Sequence, residues 1–142
     1  MPLTSKLQNN TFVLSQYSLE QSHCFALQKV FEHAYCRNLQ VVYFDDCQIS
    51  DRGFRQLLEG FARVNALRSL TYKSNEFGPQ SLEALTFLLD RDIPRNLKEL
   101  VLAKVLVTYQ NAILDLLSYL ADETCNLESL TVSACQLTDL GL

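Results

Sequence analysis

The sequence predicts an α/β fold in which short parallel strands alternate with helices, each strand–helix unit stacked on the next. Three observations predict it. Leu accounts for 27 of the 142 residues. The chain aligns with itself at a period of 28 to 30 residues. Within each period the apolar spacing changes from two residues to about 3.6, the switch from strand to helix. Self-similarity of this kind marks arrays whose units bury their apolar faces only against their neighbours.

The strand segments come first in each unit. Leu39-Gln-Val-Val42-Tyr-Phe44-Asp-Asp-Cys47-Gln-Ile49 is followed 28 residues on by Leu67-Arg-Ser-Leu70-Thr-Tyr72-Lys-Ser-Asn75-Glu-Phe77. Thirty residues later stands Leu97-Lys-Glu-Leu100-Val-Leu102-Ala-Lys-Val105-Leu-Val107, and after thirty more Leu127-Glu-Ser-Leu130-Thr-Val132-Ser-Ala-Cys135-Gln-Leu137. A degraded copy precedes them, with Phe12, Leu14, Tyr17 and Leu19 in the matching places. Alternate side chains (Val42 and Phe44, Leu70 and Tyr72, Leu100 and Leu102, Leu130 and Val132) point to one interior, as the two-residue period of a strand requires.

This pattern, L-x-x-L-x-L-x-x-N/C-x-L in four copies and one register, resembles the leucine-rich repeat, and the resemblance covers essentially the whole chain. It implies a solenoid with a parallel sheet on the concave side and helices on the convex side. The chain then forms a single segment, 1–142, of about 4.5 repeats, with copies near 9–38, 39–66, 67–96, 97–126 and an incomplete 127–142. In the family, Asn or Cys at the ninth place satisfies backbone groups of the turn that water does not reach. Cys47, Asn75 and Cys135 match that role, whereas Tyr17 and Val105 do not, so local irregularity is expected in the first and fourth copies.

The helices follow in order. Ser18–Tyr35 carries Phe25, Leu27, Val30, Phe31 and Ala34; Asp51–Val64 carries Phe54, Leu57, Leu58, Phe61 and Val64. Gly78–Leu89 carries Leu82, Leu85, Leu88 and Leu89, with Pro79 suited to a first turn. Tyr109–Ala121 carries Ile113, Leu116, Leu117 and Leu120. Ser50-Asp51-Arg52-Gly53 recurs as Thr138-Asp139-Leu140-Gly141, where Ser, Thr or Asp can cap a helix start. A full helix in each period of 28 to 30 is similar to the ribonuclease-inhibitor-type subclass. The fifth strand has no covering helix before Leu142. The expectation is a longer array, or an end covered by further repeats or another subunit.

Composition narrows the function classes. With 12 Lys+Arg against 16 Asp+Glu the formal charge is −4, and hydrophobic residues make up 48%. That excludes a disordered tail and argues against nucleic acid or an anionic membrane, both of which call for clustered basic residues. No signal-peptide core or membrane-length apolar run is present, and the expected location is cytoplasmic. Five Cys with no C-x-x-C read as free, mostly buried thiols in a reducing compartment, neither a zinc site nor a disulfide frame.

No catalytic constellation stands out. Cys24 and His33 lie nine residues apart, over about 13 Å along a helix, too far for a nucleophile and its base. Cys24 with the adjacent His23 sits in no recognisable motif. Asp45-Asp46 and Asp90-Arg91-Asp92 suggest paired carboxylates, but consecutive strand residues diverge and the second group falls in a loop. There is no glycine-rich phosphate loop and no H-E-x-x-H. No enzyme, cofactor or metal is expected.

The outward strand positions remain, and they form the candidate partner-binding face. They are Tyr43, Asp45, Asp46, Thr71, Lys73, Val101, Lys104 and Thr131, with Tyr43 the aromatic anchor and Asp45 or Asp46 positioned to pair with Lys73 across the sheet. The expected function is a protein–protein interaction scaffold whose partner the residues do not name. The alternatives are a regulator of a small GTPase, with Arg52, Arg91 and Arg95 as loop candidates, and the recognition arm of a larger receptor or ubiquitin-ligase adaptor.

Overall fold

The fold is seen in a computed structural model that describes residues 7–8, 10–33, 38–64, 66–89, 97–108, 111–122, 127–133 and 136–137. It is α/β. Strands β1 (Leu7–Gln8), β2 (Thr11–Ser15), β3 (Val41–Asp45), β4 (Ser69–Lys73), β5 (Glu76–Phe77), β6 (Glu99–Ala103), β7 (Leu106–Val107), β8 (Ser129–Ser133) and β9 (Gln136–Leu137) are interleaved with four helices. These are α1 (Gln21–Phe31), α2 (Asp51–Phe61), α3 (Pro79–Leu88) and α4 (Ala112–Asp122).

The main sheet runs β1-β2-β3-β4-β6-β8, with its five long strands parallel and in unbroken register. Phe12 stands beside Val42, Val42 beside Leu70, Leu70 beside Leu100 and Leu100 beside Leu130. Strand order follows chain order because each strand is joined to the next by one helix, and a parallel pair needs such a crossover. The helices pack in the same sequence, α1 on α2, α2 on α3 and α3 on α4.

Three features lie outside the sequence expectation. Strand β1 adds an antiparallel edge to β2, with Asn10 at φ 63° standing at the reversal. The two-residue strands β5, β7 and β9 form a second parallel sheet. Each helix is also shorter than its apolar pattern, α1 covering Gln21–Phe31 where the period suggested 18–35.

The interior is aromatic at one end and aliphatic at the other. Phe12 meets Phe31 edge-on at 5.4 Å and Phe44 at 5.7 Å, and Phe31 meets Phe61 at 4.8 Å. Phe54 stacks flat on Tyr72 with ring centroids 3.6 Å apart. Beyond them the core continues through Leu85, Leu100, Leu102 and Leu116, all fully buried. At Gly60 the layers touch so closely that a Cβ would lie 3.1 Å from the Gln28 backbone, which sets the approach of α1 to α2.

The ninth-position residues behave as their chemistry suggests where they are described. Asn75 is 1% exposed; its Oδ1 accepts from the Cys47 and Ile49 amides at 2.9 and 3.1 Å, and its Nδ2 donates to the Lys73 carbonyl at 2.7 Å. The Cys47 thiol donates toward the Leu14 carbonyl at 3.4 Å. Cys135 lies outside the described residues. Val105 does not break its copy: it is buried, and the next residues still form β7, with the Leu106 amide donating to the Asn75 carbonyl at 2.9 Å. Tyr17, by contrast, stands 39% exposed.

Helix starts are capped from two directions. Ser50 accepts from the Gly53 amide at 3.0 Å at the head of α2. The head of α3, with Pro79 in its first turn, is capped by a residue of α2: Asp51 accepts from the amides of Gly78, Gln80 and Ser81 and from the Ser81 hydroxyl. An anionic acceptor is well placed against the positive end of a helix.

Candidate binding face

The alternation that buries Val42, Phe44, Leu70 and Tyr72 turns the intervening side chains outward. Register then gathers them into rows. Val13, Tyr43, Thr71, Val101 and Thr131 are consecutive partners across the five parallel strands. Ser15, Asp45, Lys73, Ala103 and Ser133 form the next row. Six of the eight sequence candidates therefore lie in two adjacent rows, on strands about 4.8 Å apart. Val13 and Thr131 are exposed, and Tyr43, Thr71 and Val101 are half-buried.

Asp46 and Lys104 belong elsewhere. The strands end at Asp45 and Ala103, and the following residues take a left-handed backbone, φ 55° at Asp46 and 54° at Lys104. Gln16 and Ser74 do the same, both at 56°. These four form a turn row beside the sheet and do not extend its face. Their amides are spoken for: Gln16 donates to the Asp45 carbonyl, Asp46 to Lys73, Ser74 to Ala103 and Lys104 to Ser133, all within 2.9 to 3.1 Å.

The expected ion pair is also replaced. Asp45 and Lys73 are register partners, yet among the described residues the ion pairs are Lys29–Glu32 and Arg55–Glu59. Lys73 instead carries its ammonium over the Tyr43 ring, 5.4 Å from the centroid. A ring face attracts a cation at this range, and the lysine stem covers the aromatic edge. Tyr43 and Lys73 thus form one diagonal unit near the middle of the face.

One row was missed by the sequence reading. Thr11, Val41, Ser69, Glu99 and Ser129 are in register two residues before the central row. Ser69 donates from its hydroxyl to Glu99 at 2.7 Å across two strands. The two-residue period alone sufficed to find these positions, since they share a face with Tyr43. The complete face carries Tyr43 and Lys73 near its middle, a carboxylate in each outer row (Asp45 and Glu99), and hydroxyls with small apolar side chains between.

The helix layer offers a cleft of about 660 Å³ between α1, α2 and α3, floored by Leu58, Ala62 and Ala84 with Phe87 at its edge. Its Arg55 and Glu59 are paired with each other at 3.1 Å. His23 has a local task, its Nδ1 accepting from the Glu20 amide at 3.0 Å at the head of α1. Cys24 and Cys47 are free and buried, and burial, with Cys47 adding to it, pushes the Cys24 thiol up to about 11. Burial likewise raises the Cys47 thiol. Arg52 is exposed in the first turn of α2, while Arg91 and Arg95 lie outside the described residues. Among the described residues no group of three or more His, Cys, Asp and Glu is placed to hold a metal ion, and no helix is long and apolar enough to cross a membrane.

A comparison with protein-family models gives no match, and a search of curated proteins finds none either.

Proposed function

We propose that this chain is a non-enzymatic protein-interaction scaffold of the leucine-rich-repeat type, with the sheet lining the concave side of a short cytoplasmic solenoid. The observation that carries the reading is the Tyr43–Lys73 unit, set in a strand face whose neighbouring positions are in register from β2 to β8. Aromatic residues supply large contact area with few rotatable bonds, and they are enriched among the side chains that dominate interfaces. Lys73 favours a partner that brings a carboxylate or a main-chain carbonyl to the ring edge. The hydroxyls of Thr71, Thr131 and Ser69 give polar contacts around that anchor. Stacked parallel strands present an extended surface, which suits a protein chain better than a small molecule.

The test is the affinity of a selected protein partner for the wild type and for the double variant Tyr43→Ala, Lys73→Ala. The expected loss is about thirtyfold or more, the scale of an interface anchor. Unchanged affinity overturns this face as the binding site.

A further inference from the structure

We propose that the strand face takes an acidic, extended segment of its protein partner, laid along β4 and β6 between two pairs of cations; this rests on the strand face being the binding surface. The sequence as a whole carries a formal charge of −4. The two central strands reverse that sign. Arg68 stands just before β4 and Lys73 at its end, while Lys98 and Lys104 stand just before and just after β6. Two carboxylates accompany them among the described residues of these strands and their flanks. Glu76 is engaged with α2, accepting from the Asp51 amide at 3.2 Å. Glu99 stays on the face and accepts from the Ser69 hydroxyl at 2.7 Å. Four cations there stand against one carboxylate.

The backbone holds the cations in two adjacent pairs. The Lys98 amide donates to the Arg68 carbonyl at 2.9 Å, and Lys73 is the register partner of Ala103, the residue before Lys104. At about 3.3 Å per residue, Arg68 and Lys73 are about 17 Å apart along the sheet. Thr71 and Val101 lie between the two pairs, with Tyr43 beside Thr71. An extended chain covers this span in about five residues. Carboxylates near its two ends would each meet a pair of cations, and the residues between would meet Tyr43, Thr71 and Val101.

Two further observations favour this occupant and this placement. Among the described residues the ion pairs are Lys29–Glu32 and Arg55–Glu59, so none of the four cations is committed to a described carboxylate. Arg68 and Lys104 are exposed as well. The columns on either side are acidic: Asp45 ends β3 with Asp46 next to it, and Glu128 stands just before β8. An acidic segment shifted by one strand in either direction would meet like charge, which costs affinity. Repulsion from the flanks and attraction at the centre select the same register.

Random twelve-residue peptides displayed on phage and selected on the 142-residue chain test the proposal. The selected peptides are expected to carry Asp or Glu at two places about five residues apart. Synthetic copies, followed by fluorescence anisotropy, should bind the variant Arg68→Gln, Lys104→Gln about fivefold or more weakly than the wild type. Raising salt from about 50 to about 300 mM should weaken binding to the wild type more steeply than to the variant. Both positions are exposed, and Gln16 and Gln48 already hold a left-handed backbone like that of Lys104, so the circular dichroism of the variant should match the wild type. If the double variant does not fold, Arg68→Gln alone, read by the same salt dependence, decides. Failure to select any peptide overturns the proposal, as do acidic peptides indifferent to these substitutions. Single-stranded DNA that binds more tightly than the peptides and displaces them overturns a peptide occupant. The Tyr43→Ala, Lys73→Ala variant separates the two readings. Peptides that need Tyr43 and Lys73 but show no acidic enrichment remove the acidic segment and leave the face; acidic peptides that bind this variant as they bind the wild type remove the face itself.

Discussion

Asp51, in the first turn of α2, grips Ser81, in the first turn of α3, accepting from its amide at 2.8 Å and from its hydroxyl at 2.6 Å. The same carboxylate takes the Gly78 and Gln80 amides at 3.0 and 3.1 Å. One side chain of α2 therefore serves the donors that begin α3 and have no partner within that helix, and the packing of the two helices is tied to the capping of the second.

Asp51→Ala should consequently cost more than an ordinary lost cap, about 2–3 kcal/mol against about 1, because several donors to a charged acceptor are orphaned together. Urea unfolding of the two proteins checks this. A loss within about 0.5 kcal/mol, the range of a plain surface change, would contradict it.

Gly78 lies beneath this network for reasons of space. A Cβ there would stand 2.1 Å from the Thr108 hydroxyl and 2.8 Å from the Asp51 carboxyl carbon. Gly78→Ala should destabilise by about 2–3 kcal/mol, as overpacked sites do. Adding Thr108→Ala relieves one of the two clashes, so the double variant should recover part of the loss. Strict additivity in thermal unfolding would sink that account.

Asn75→Ala removes the acceptor of the Cys47 and Ile49 amides in a site without water access. The expected destabilisation is about 3 kcal/mol, at the upper end for buried groups left without partners. Amide hydrogen exchange should quicken first at Cys47 and Ile49. Uniform acceleration through the whole sheet would show global loosening in place of the local defect.

Alkaline pH should weaken the fold. The Cys24 thiol holds its proton to about 11 in the folded chain, above its ordinary value of 9.0, and Cys47 and Tyr72 are shifted in the same direction by burial. A raised value in the folded state means the unfolded chain loses its protons first. The stabilising contribution is whole below about pH 9 and is lost as pH climbs toward 11. Urea midpoints measured at pH 7 and pH 10 should fall with pH, and Cys24→Ala should flatten the decline. The native chain should also resist thiol alkylation at Cys24 and Cys47 until denatured.

Much of the fold was legible because its signals are periodic. Val42 and Phe44 with their counterparts mark strands by a spacing of two, and Phe54, Leu57, Leu58 and Phe61 mark a helix by a spacing near four. Register across the sheet followed from the repeat of the motif, so Tyr43, Thr71, Val101 and Thr131 were correctly placed side by side. Features of two residues carry no period, which hid β1 and the small β5-β7-β9 sheet. That Asp46 and Lys104 stand in turns just past their strands was not legible, because a left-handed turn outside glycine leaves no mark in the side chain that occupies it. The partnership of Asp45 and Lys73 failed for another reason: neighbouring backbones fix where two side chains start, while solvation and ring faces decide where they end. The Asp51 cap escaped notice because its partners lie about one period away, in a unit that sequence reading treats as a separate copy.

Gln16, Asp46, Ser74 and Lys104 share one backbone shape and no common chemistry: an amide, a carboxylate, a hydroxyl and an ammonium. In every case the geometry is held by the residue's own amide on the carbonyl of the next strand. The side chain has no part in that bond. Residues that tolerate the left-handed backbone, so neither Pro nor a β-branched side chain, can therefore change the charge along this margin one turn at a time while the interior stays as it is.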